Sequence, residues 1–290
     1  MQVFQHKGLL NQHVQVGRDY CNKSNIDNKH IFNQIMRGNM ESDAVNYLMN
    51  LGYMRLSDIK SIGMFNQVNI AAHINESKHL EEIIGENTIH LLEPIKKLKL
   101  DMFDVLERRK SVRHYSPVKM TMKEFSTLIK YAFGNSNRKT YYEETTVINR
   151  YYPSGGGLYP VDVYININRV DGIPSGLYKY QVCSHTLRST NANFSIGEFL
   201  QYGNFDFENY SFLILYEYDL NKNYLKYGEL SLLNTFVEVG NMAHALDIIS
   251  TATGFGTCQI AGFDKTYGNK CLGLDGVNSN IIYTSICGKE

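Results

Sequence analysis

Residues 151–168 have the sequence YYPSGGGLYPVDVYININ, in which three glycines lead into a run of β-branched and aromatic residues. The alternation in VDVYININ predicts a strand over 161–168. Successive glycines let a backbone approach a flat ligand closely and present its N–H groups to it. The same glycines would also serve a tight turn before a strand. Since neither a Gly-Lys-Ser/Thr sequence nor a helical pattern follows, the segment is not a Walker or G-x-G-x-x-G loop.

Strand and helix patterns are interspersed around this segment. The strand patterns, bounded by Gly, Pro or Asn, are GLYKYQV (176–182), SFLILYEY (211–218), GTCQI (256–260) and IIYTSIC (281–287). Helices are predicted over 101–109, over 121–133 and in a short segment after Asp264. Thr121 and Glu124 have the spacing of a capping box. An α+β fold with a single sheet covered by helices is therefore predicted.

The longest helical pattern runs from Leu230 to Thr253. It is apolar on one side, contains no proline and is followed by Gly254, which suits the C-cap position. It predicts the central helix of the domain. A helix buried in a monomer's core and a helix at a subunit interface would both show this pattern.

The composition excludes several functional classes. Of 290 residues, 43% are apolar and 20% are charged, and Lys plus Arg equals Asp plus Glu at 29 each. Without a basic excess or stripe, nucleic acid is not expected as a partner. No run approaches the ~18 apolar residues of a membrane span, and the N-terminus lacks a signal-peptide pattern. The five cysteines lie far apart without a CxxC pair, so we expect reduced thiols, no metal site and a cytoplasmic protein.

The composition changes near residue 100. The first hundred residues are rich in Asn, His, Met and Lys and contain short helical patterns at 42–54 and 77–86. We therefore expect a helical N-terminal extension over 1–100 and the main domain over 101–290. Nothing in the extension suggests chemistry.

A cationic segment follows the helix predicted over 101–109. Arg109, Ser111 and Arg113 alternate along what should be extended chain, so their side chains would share one face. Two guanidinium groups and a hydroxyl on one face suit a phosphate. A solvated basic face would have the same spacing, so the segment alone leaves both interpretations open.

Three segments together resemble a known family. They are Arg109-Lys110-Ser111-Val112-Arg113, PSGGGLYP (153–160) and GFGTCQIAGFD (254–264) after the long helix. This order is similar to that of the FMN-dependent nitroreductase superfamily. PSGGGLYPVDVY and GLYKY are similar to the SagB-type, thiazole/oxazole-forming dehydrogenases. The resemblance covers roughly residues 100–290. It implies a nitroreductase-like fold, with a central mixed sheet covered by helices and a long central helix that forms a dimer.

The resemblance also implies an FMN site. Arg109, Ser111 and Arg113 would hold the FMN phosphate and ribityl chain, and Lys289 is the candidate for a family basic residue after the last strand. The residues that would line one side of the flavin are Pro153, Ser154, Gly155 and Gly156. Ala261 and Gly262 would lie near the flavin N5 edge. The family further implies a homodimer with two FMN sites at the subunit interface.

The catalytic candidates are Lys226 and Tyr227. SagB-type enzymes carry a Lys-Tyr pair in a loop before the long helix, and this pair precedes Gly228 in an Asn-rich segment. We expect the ammonium to lower the tyrosine pKa from about 10 and make the phenolate a usable base. A surface loop would explain the dipeptide equally well without the family position. A second pair, Lys179-Tyr180, falls in a strand pattern, where neighbours point to opposite faces.

The implied function is oxidation of thiazoline or oxazoline rings, formed from Cys, Ser or Thr in a ribosomally made peptide, to azoles. Tyr227, assisted by Lys226, would take the Cα proton while hydride passes to the flavin, which dioxygen reoxidises. Such enzymes act in a complex with a cyclodehydratase. Residues 1–100 could provide the docking surface or could instead brace the dimer.

Two other functions remain open from the sequence. An NAD(P)H-dependent flavin reductase acting on nitro compounds, quinones or dehydroamino acids would use the same cofactor in the opposite direction. A flavin-free scaffold that recruits a precursor peptide would be colourless when purified. Its pathway chemistry would not depend on Lys226 and Tyr227.

Overall fold

The computed structural model describes Tyr47 and residues 81–97, 100–142, 145–200 and 205–290. The chain divides into two units, Met1–Leu56 and Ser57–Glu290. The helical pattern at 42–54 lies outside the described residues except for Tyr47, which is helical. The extension predicted over 1–100 therefore stays a prediction.

The described strands form a seven-stranded sheet and a separate two-stranded sheet. In chain order they are β1 Thr88–His90, β2 Asn135–Tyr142, β3 Thr145–Arg150, β4 Val161–Ile167, β5 Gly176–Gln181, β6 Thr186–Ser189, β7 Phe212–Asp219, β8 Phe255–Ile260 and β9 Ser279–Lys289. The order in the large sheet is β1-β6-β5-β4-β7-β9-β8, and all of these neighbours are antiparallel. Parallel pairing occurs at two isolated bridges, Ser111 with Thr257 and Met120 with Val170.

The helices of the described residues are α1 Met102–Arg108, α2 Met122–Phe133, α3 Ile196–Phe199, α4 Tyr224–Tyr227, α5 Leu230–Thr253 and α6 Lys265–Leu272. The sequence predicted α1, α2, α5 and α6, whereas it missed α3 and α4, which have four residues each. The capping box of α2 is confirmed, because Thr121 Oγ1 accepts from the Glu124 N–H at 3.2 Å and the Thr121 N–H donates to Glu124 Oε2 at 2.9 Å. Gly254 ends α5 in the left-handed conformation with a φ of 79°, as predicted.

The strands predicted from β-branched and aromatic runs are confirmed as β4, β5, β7, β8 and β9. The sequence patterns missed four strands, namely β1, β6 and both strands of the β2–β3 hairpin. Residues 135–142 are mostly polar and do not alternate, so they carry no strand pattern. β1 and β6 are short and pair with each other at the edge of the large sheet.

Both faces of the large sheet are covered. Along β7, Phe212, Ile214 and Tyr216 point into one hydrophobic cluster, which also contains Phe133 of α2 and Leu246 of α5. The intervening leucines of β7 point into a second cluster on the opposite face, with Phe199 of α3. Because side chains alternate along a strand, β7 is buried on both sides and lies at the centre of the fold. The predicted α+β fold is thus confirmed, with a large sheet whose described strands pair in antiparallel fashion and not in the mixed arrangement that the resemblance implied.

The segment before β1 is bonded to the β5–β6 hairpin. The Glu82 carboxylate accepts from the N–H groups of Cys183 at 2.6 Å and Ser184 at 2.8 Å. The Ile83 N–H donates to Gln181 Oε1 at 2.8 Å. Residues 82–86 are therefore not helical, and this part of the helical pattern at 77–86 is wrong. None of the helices in the described part of the chain has the length and apolarity that a bilayer span requires.

Candidate active site

The glycine segment forms a tight turn that is fastened to α5. Gly155–Gly157 make one 3-10 turn, in which Gly156 has a left-handed φ of 63°. Ser154 Oγ accepts from the Tyr159 N–H at 2.9 Å and donates to the Glu238 carboxylate in α5. A Cβ on Gly155 would lie 3.4 Å from Asn234, also in α5. The turn therefore has a fixed position against the first half of the long helix.

Lys226 and Tyr227 converge on this turn. A Cβ atom on Gly156 would collide with both Lys226 Nζ and the Tyr227 hydroxyl. Lys226 is only 6% exposed, and its Nζ lies 5.2 Å from the centre of the Tyr227 ring. The structure thus brings together the two catalytic candidates and one of the predicted flavin-lining glycines. The pair lies in the helical turn α4 rather than in the loop that the sequence predicted.

The charge states of the pair differ from the expectation. Burial raises the pKa of Tyr227 and lowers the pKa of Lys226. The predicted lowering of the tyrosine pKa is therefore wrong, because burial desolvates the phenolate and disfavours it. A neutral amine is consequently more accessible here than a phenolate.

The second Lys-Tyr pair has a structural role. Lys179 Nζ forms an ion pair with Asp162 at 2.9 Å, and the same carboxylate binds Lys222 at 3.1 Å. Burial alone would lower the pKa of Lys179, but the Asp162 carboxylate raises it above its ordinary value. Tyr180 is buried and its hydroxyl lies 2.9 Å from His185 Nδ1. Lys179 is thus held protonated in an ion pair.

The cationic segment lies along the edge of the large sheet. Ser111 forms a parallel bridge with Thr257 of β8, and the Val112 N–H donates to the Thr257 carbonyl at 2.8 Å. Val112 is buried while Ser111 and Arg113 are exposed, so the predicted alternation holds for these two residues. Arg109 is partly buried and occupies the C-cap position of α1.

Two paired glycines allow this segment to approach the sheet. Gly256 of β8 lies opposite Gly288 of β9. A Cβ on Gly256 would collide with Val112, and a Cβ on Gly288 would collide with the ring of Tyr115. The cationic segment is therefore packed onto the end of the β8–β9 ladder, where β9 finishes at Lys289. The sequence analysis did not assign these glycines, although an unusual pair of glycines in two strands is a visible signal.

Lys289 lies at this same end of the ladder. Its backbone carbonyl accepts from the Ser116 N–H at 2.8 Å. Its ammonium lies 4.5 Å from the centre of the Phe255 ring, a cation–π contact. Lys289 therefore lies at the end of the ladder onto which the cationic segment packs, and its role at a phosphate stays a prediction.

Ala261 and Gly262 are exposed and follow the last residue of β8. They lie at the same end of the sheet as the glycine turn before β4, because Val161 pairs with Tyr218 and Tyr218 pairs with Asn280 at the start of β9. β7 and β9 separate β4 from β8, which corresponds to about 14 Å at the usual strand spacing. The two sets of predicted flavin contacts are therefore not adjacent within one chain.

The two sets also lie on opposite flanks of α5. Glu238 contacts Ser154 on one flank, whereas Asp247 accepts from Gln259 Nε2 of β8 at 2.7 Å. At 100° per residue, these two acidic residues point about 180° apart around the helix. Met242, which lies between them, faces the sheet. The predicted site residues thus form two half-sites, one on each side of the long helix.

A cleft of about 370 Å³ lies on the Asp247 flank. It is lined by Phe236, Val239, Gly240, Ala243, His244, Asp247, Gln259, Ile282 and Tyr283. At its polar end, Asp247 accepts from Thr257 Oγ1 and from Gln259, and Gln259 Oε1 accepts from Ser285. The sequence analysis missed Asp247 and Gln259, although an acidic residue in an apolar helical pattern was a signal. Within the described ranges, no cluster of His, Cys, Asp and Glu could hold a metal ion.

The comparison with known families decides the class. A sequence model of the Nitroreductase family matches residues 106–289. The chain belongs to the nitroreductase family. It is therefore a nitroreductase-family oxidoreductase, and the resemblance that the sequence predicted is confirmed at this level.

Relatives and solved structures agree with this assignment. A protein named as a nitroreductase from Methanocaldococcus jannaschii is 25% identical over 185 residues, which cover 62% of this chain and 87% of the relative. A structure described as a nitroreductase from Ralstonia eutropha JMP134 has a TM-score of 0.56 at 20% identity, covering 71% of this chain and 91% of that one. A chain in the E. coli microcin synthetase McbBCD complex with truncated pro-MccB17 bound has a TM-score of 0.54 at 18% identity, covering 87% and 99%. At such identities the two structures show the shared fold.

Proposed function

We propose that this member of the nitroreductase family is an FMN-dependent, SagB-type dehydrogenase that oxidises azoline rings in a peptide to azoles. The observation that carries the proposal is the convergence of Lys226 and Tyr227 on Gly156, in the glycine turn of the predicted flavin site. A nitroreductase-fold chain that only passes electrons from NAD(P)H to a nitro compound does not need a buried base. A dehydrogenase that removes a proton from carbon does.

The donor set of the chain fits FMN. Arg113, Ser111 and Lys289 offer a guanidinium, a hydroxyl and an ammonium beside the end of the β8–β9 ladder, a combination that suits a phosphate. Gly156 has no side chain, so its turn leaves room for the Lys226 amine and the Tyr227 hydroxyl beside the proposed flavin position. The cleft beside α5 is within the size range of small-molecule sites.

We assign the residues that would hold FMN as the family resemblance suggests. Arg109, Ser111, Arg113 and Lys289 would bind the phosphate end. The isoalloxazine would contact two sets of residues, Pro153, Ser154, Gly155 and Gly156 on one side and Ala261 with Gly262 on the other. When bound, FMN would supply the two-electron acceptor.

A homodimer would complete the site. The two sets of flavin contacts lie on opposite flanks of α5 within one chain, so the turn of one protomer would meet the 261–262 segment of its partner. The side of α5 that faces away from the sheet exposes Leu233, Phe236 and Val237, and α1 exposes Met102, Phe103 and Leu106. Exposed apolar side chains in this number favour a subunit interface.

The proton-transfer chemistry follows from the pair. Aromatising an azoline removes one proton from the ring Cα and two electrons with a second hydrogen from the ring Cβ. Burial lowers the pKa of Lys226, so its neutral amine would accept the Cα proton, directly or through the Tyr227 hydroxyl. Tyr227, whose pKa burial raises, would remain a phenol that orients the ring by donating a hydrogen bond.

The peptide substrate, the partner and the location belong to the proposal. The E. coli structure described above is a microcin synthetase complex with truncated pro-MccB17 bound, and its aligned chain covers 87% of this one. We propose by analogy that this protein binds a ribosomally made peptide and acts with a cyclodehydratase in the cytoplasm. The exposed residues Tyr224 and Leu225, next to the catalytic pair, would be among the first to meet that peptide.

The decisive experiment combines a spectrum with an activity assay. The purified protein should be yellow and release FMN on heating, at close to one per chain. A synthetic peptide that carries one thiazoline should lose two mass units when incubated with the holoprotein and air. K226A and Y227F should each lower this rate while FMN remains bound. Full activity in both variants would disprove the catalytic assignment.

A flavin reductase is the second candidate, and the family match with the relative named as a nitroreductase favours it. Rapid oxidation of NAD(P)H with a nitroarene or quinone, unaffected by K226A or Y227F, would support it. Slow NAD(P)H oxidation together with azoline oxidation would support the dehydrogenase.

A further inference from the structure

Asn223 joins three elements at the start of α4. It is 2% exposed and occupies the N-cap position of α4. Its side-chain oxygen accepts from the hydroxyl of Tyr218 in β7 at 2.9 Å. Its side-chain nitrogen donates to the carbonyl of Ser231 at 3.1 Å and to Thr235 Oγ1 at 3.0 Å, both in α5. The amide group of Asn223 is therefore engaged at both its oxygen and its nitrogen.

The backbone of Asn223 holds the catalytic pair directly. Its carbonyl accepts from the Lys226 N–H at 3.2 Å and from the Tyr227 N–H at 3.0 Å. The backbone of the pair is therefore hydrogen-bonded to a residue whose side chain is itself bonded to β7 and α5. On its other side, the pair ends at Gly228, whose φ of 52° lets the chain turn into α5.

We infer that Asn223 is a positioning residue that fixes the Lys226–Tyr227 turn against Gly156 and thereby keeps the lysine amine buried. The inference rests on the role proposed above for this pair. α4 has a single turn and would not be stable by itself. Its position must come from contacts with other elements, and the side chain of Asn223 joins its start to both β7 and α5.

A neighbouring ion pair and a second buried asparagine help to distinguish this role from ordinary stabilisation. The Asp162 ion pair with Lys222 fixes the chain just before Asn223, but it does not reach the pair itself. A second buried asparagine, Asn269 in α6, donates to Asn280 at 3.2 Å and accepts from the Ile281 N–H at 2.9 Å. It is 7% exposed and joins a helix to β9 in a comparable way, so it serves as the matched control.

The test is the pH dependence of Lys226 labelling in the full chain. Acetic anhydride acetylates neutral amines, and mass spectrometry of the Lys226 peptide gives the fraction labelled at each pH. In the unchanged protein the midpoint should lie below that of an ordinary lysine, about 10.4. N223A should release α4, expose the amine and move the midpoint up toward that value. N269A should leave it unchanged.

The outcomes either support or overturn the inference. An upward shift in N223A without a shift in N269A supports it. An unchanged midpoint in N223A overturns it, and so does an equal shift in N269A, because that would indicate general loosening. If N223A fails to fold, Y218F decides by the same criteria, since it removes the hydroxyl that donates to Asn223 Oδ1 and to Ser231 Oγ.

Activity measurements add a second criterion. If Asn223 acts through the pair, adding N223A to the double variant K226A/Y227F should not slow oxidation of the thiazoline peptide further, because neither member of the pair is left to position. Additive losses would overturn the inference. The labelling result does not depend on catalysis. If the unchanged holoprotein does not oxidise the thiazoline peptide, the proposed function fails while the labelling still decides the positioning role.

Discussion

The amine of Lys226 lies in the space that a Cβ atom on Gly156 would fill. Glycine is therefore needed at this position for two independent reasons. Its φ of 63° belongs to the left-handed region, and any side chain there would displace the lysine and the tyrosine hydroxyl beside it. The turn before β4 and the helix α4 are thus fitted to each other.

Gly156→Ala tests this fit. The methyl group should push the Lys226–Tyr227 pair away from the turn and lower the rate of thiazoline oxidation by about tenfold or more. The left-handed backbone should cost about 1 kcal/mol of unfolding free energy. Both quantities can be measured on one sample, by peptide mass spectrometry and by urea denaturation.

Gly273→Ala is the matched control for backbone strain. Gly273 has a φ of 68°, but a Cβ there would meet no atom within 4 Å. The Gly273→Ala variant should show a similar loss of unfolding free energy and keep its rate of thiazoline oxidation. Equal losses of activity in the two variants would show that strain, not the contact with Lys226, is responsible.

The pH dependence of activity should reveal which member of the pair is the base. Burial lowers the pKa of Lys226, so kcat should rise with pH through a midpoint below the ordinary lysine value. K226R should abolish this rise and lower kcat about 100-fold, because arginine stays protonated. Y227F should keep the rise at a reduced rate. If Y227F abolishes the rise and K226R preserves it, the tyrosine is the base.

Lys179→Arg is the control for this experiment. Lys179 belongs to the second Lys-Tyr pair but binds Asp162, and arginine can keep that ion pair. The variant should show the same pH profile as the unchanged protein.

His185 should make the stability of the fold depend on pH. Its ring bridges Ser126 Oγ and the Tyr180 hydroxyl, each at 2.9 Å. Burial, assisted by the charge of Lys130, lowers the pKa of His185 to about 4. Because the unfolded chain has the higher pKa, about 6.5, it binds more protons at pH 5. The part of the unfolding free energy that depends on neutral His185 is fully present above pH 6.5 and is lost as the pH falls toward 4. The loss reaches about 2 kcal/mol by pH 5.

His185→Asn should flatten this dependence. The backbone at His185 has a φ of 54°, a conformation that asparagine tolerates well. The free energy of unfolding in urea would be compared at pH 7 and pH 5 for both proteins. If the variant loses as much unfolding free energy between pH 7 and pH 5 as the unchanged protein, groups other than His185 cause the pH dependence.

The long elements of this fold could be predicted from the sequence because each carries its own signal. α5 runs from Leu230 to Thr253 as predicted, since its apolar pattern lacks proline and ends at Gly254. The Thr121 capping box is equally local. The β2–β3 hairpin carries no such signal, because residues 135–142 are largely polar. Their strand conformation depends on pairing with β3.

The site shows the same division between local and distant information. The sequence offered Lys226 and Tyr227 as catalytic candidates through a family position, but it gave the wrong direction for the tyrosine pKa. That direction depends on burial, which comes from contacts with Gly156 far along the chain. Glu238 and Asn223 were missed for the same reason, since their bonds to Ser154 and Tyr218 exist only in the folded protein.

Cofactor affinity should depend on the cationic segment. R113A and K289A should each weaken FMN binding about tenfold or more, because each removes a charged donor proposed for the phosphate. Binding should also weaken with added salt. The quenching of FMN fluorescence gives the Kd directly. K265A, which removes an exposed lysine at the start of α6, is the control and should bind FMN normally.

The homodimer can be tested at the exposed side of α5. Val237 is 57% exposed in the single chain, next to the exposed residue Phe236. V237E should place a charge in the proposed interface, so the protein should sediment as a monomer and lose FMN, because each site would lack its second half. V277E introduces the same charge at a 73% exposed valine in the loop before β9 and should remain a dimer with bound FMN. A V237E monomer that retains FMN would show that one chain holds the complete site. The proposal that each FMN site combines residues of two protomers would then be wrong.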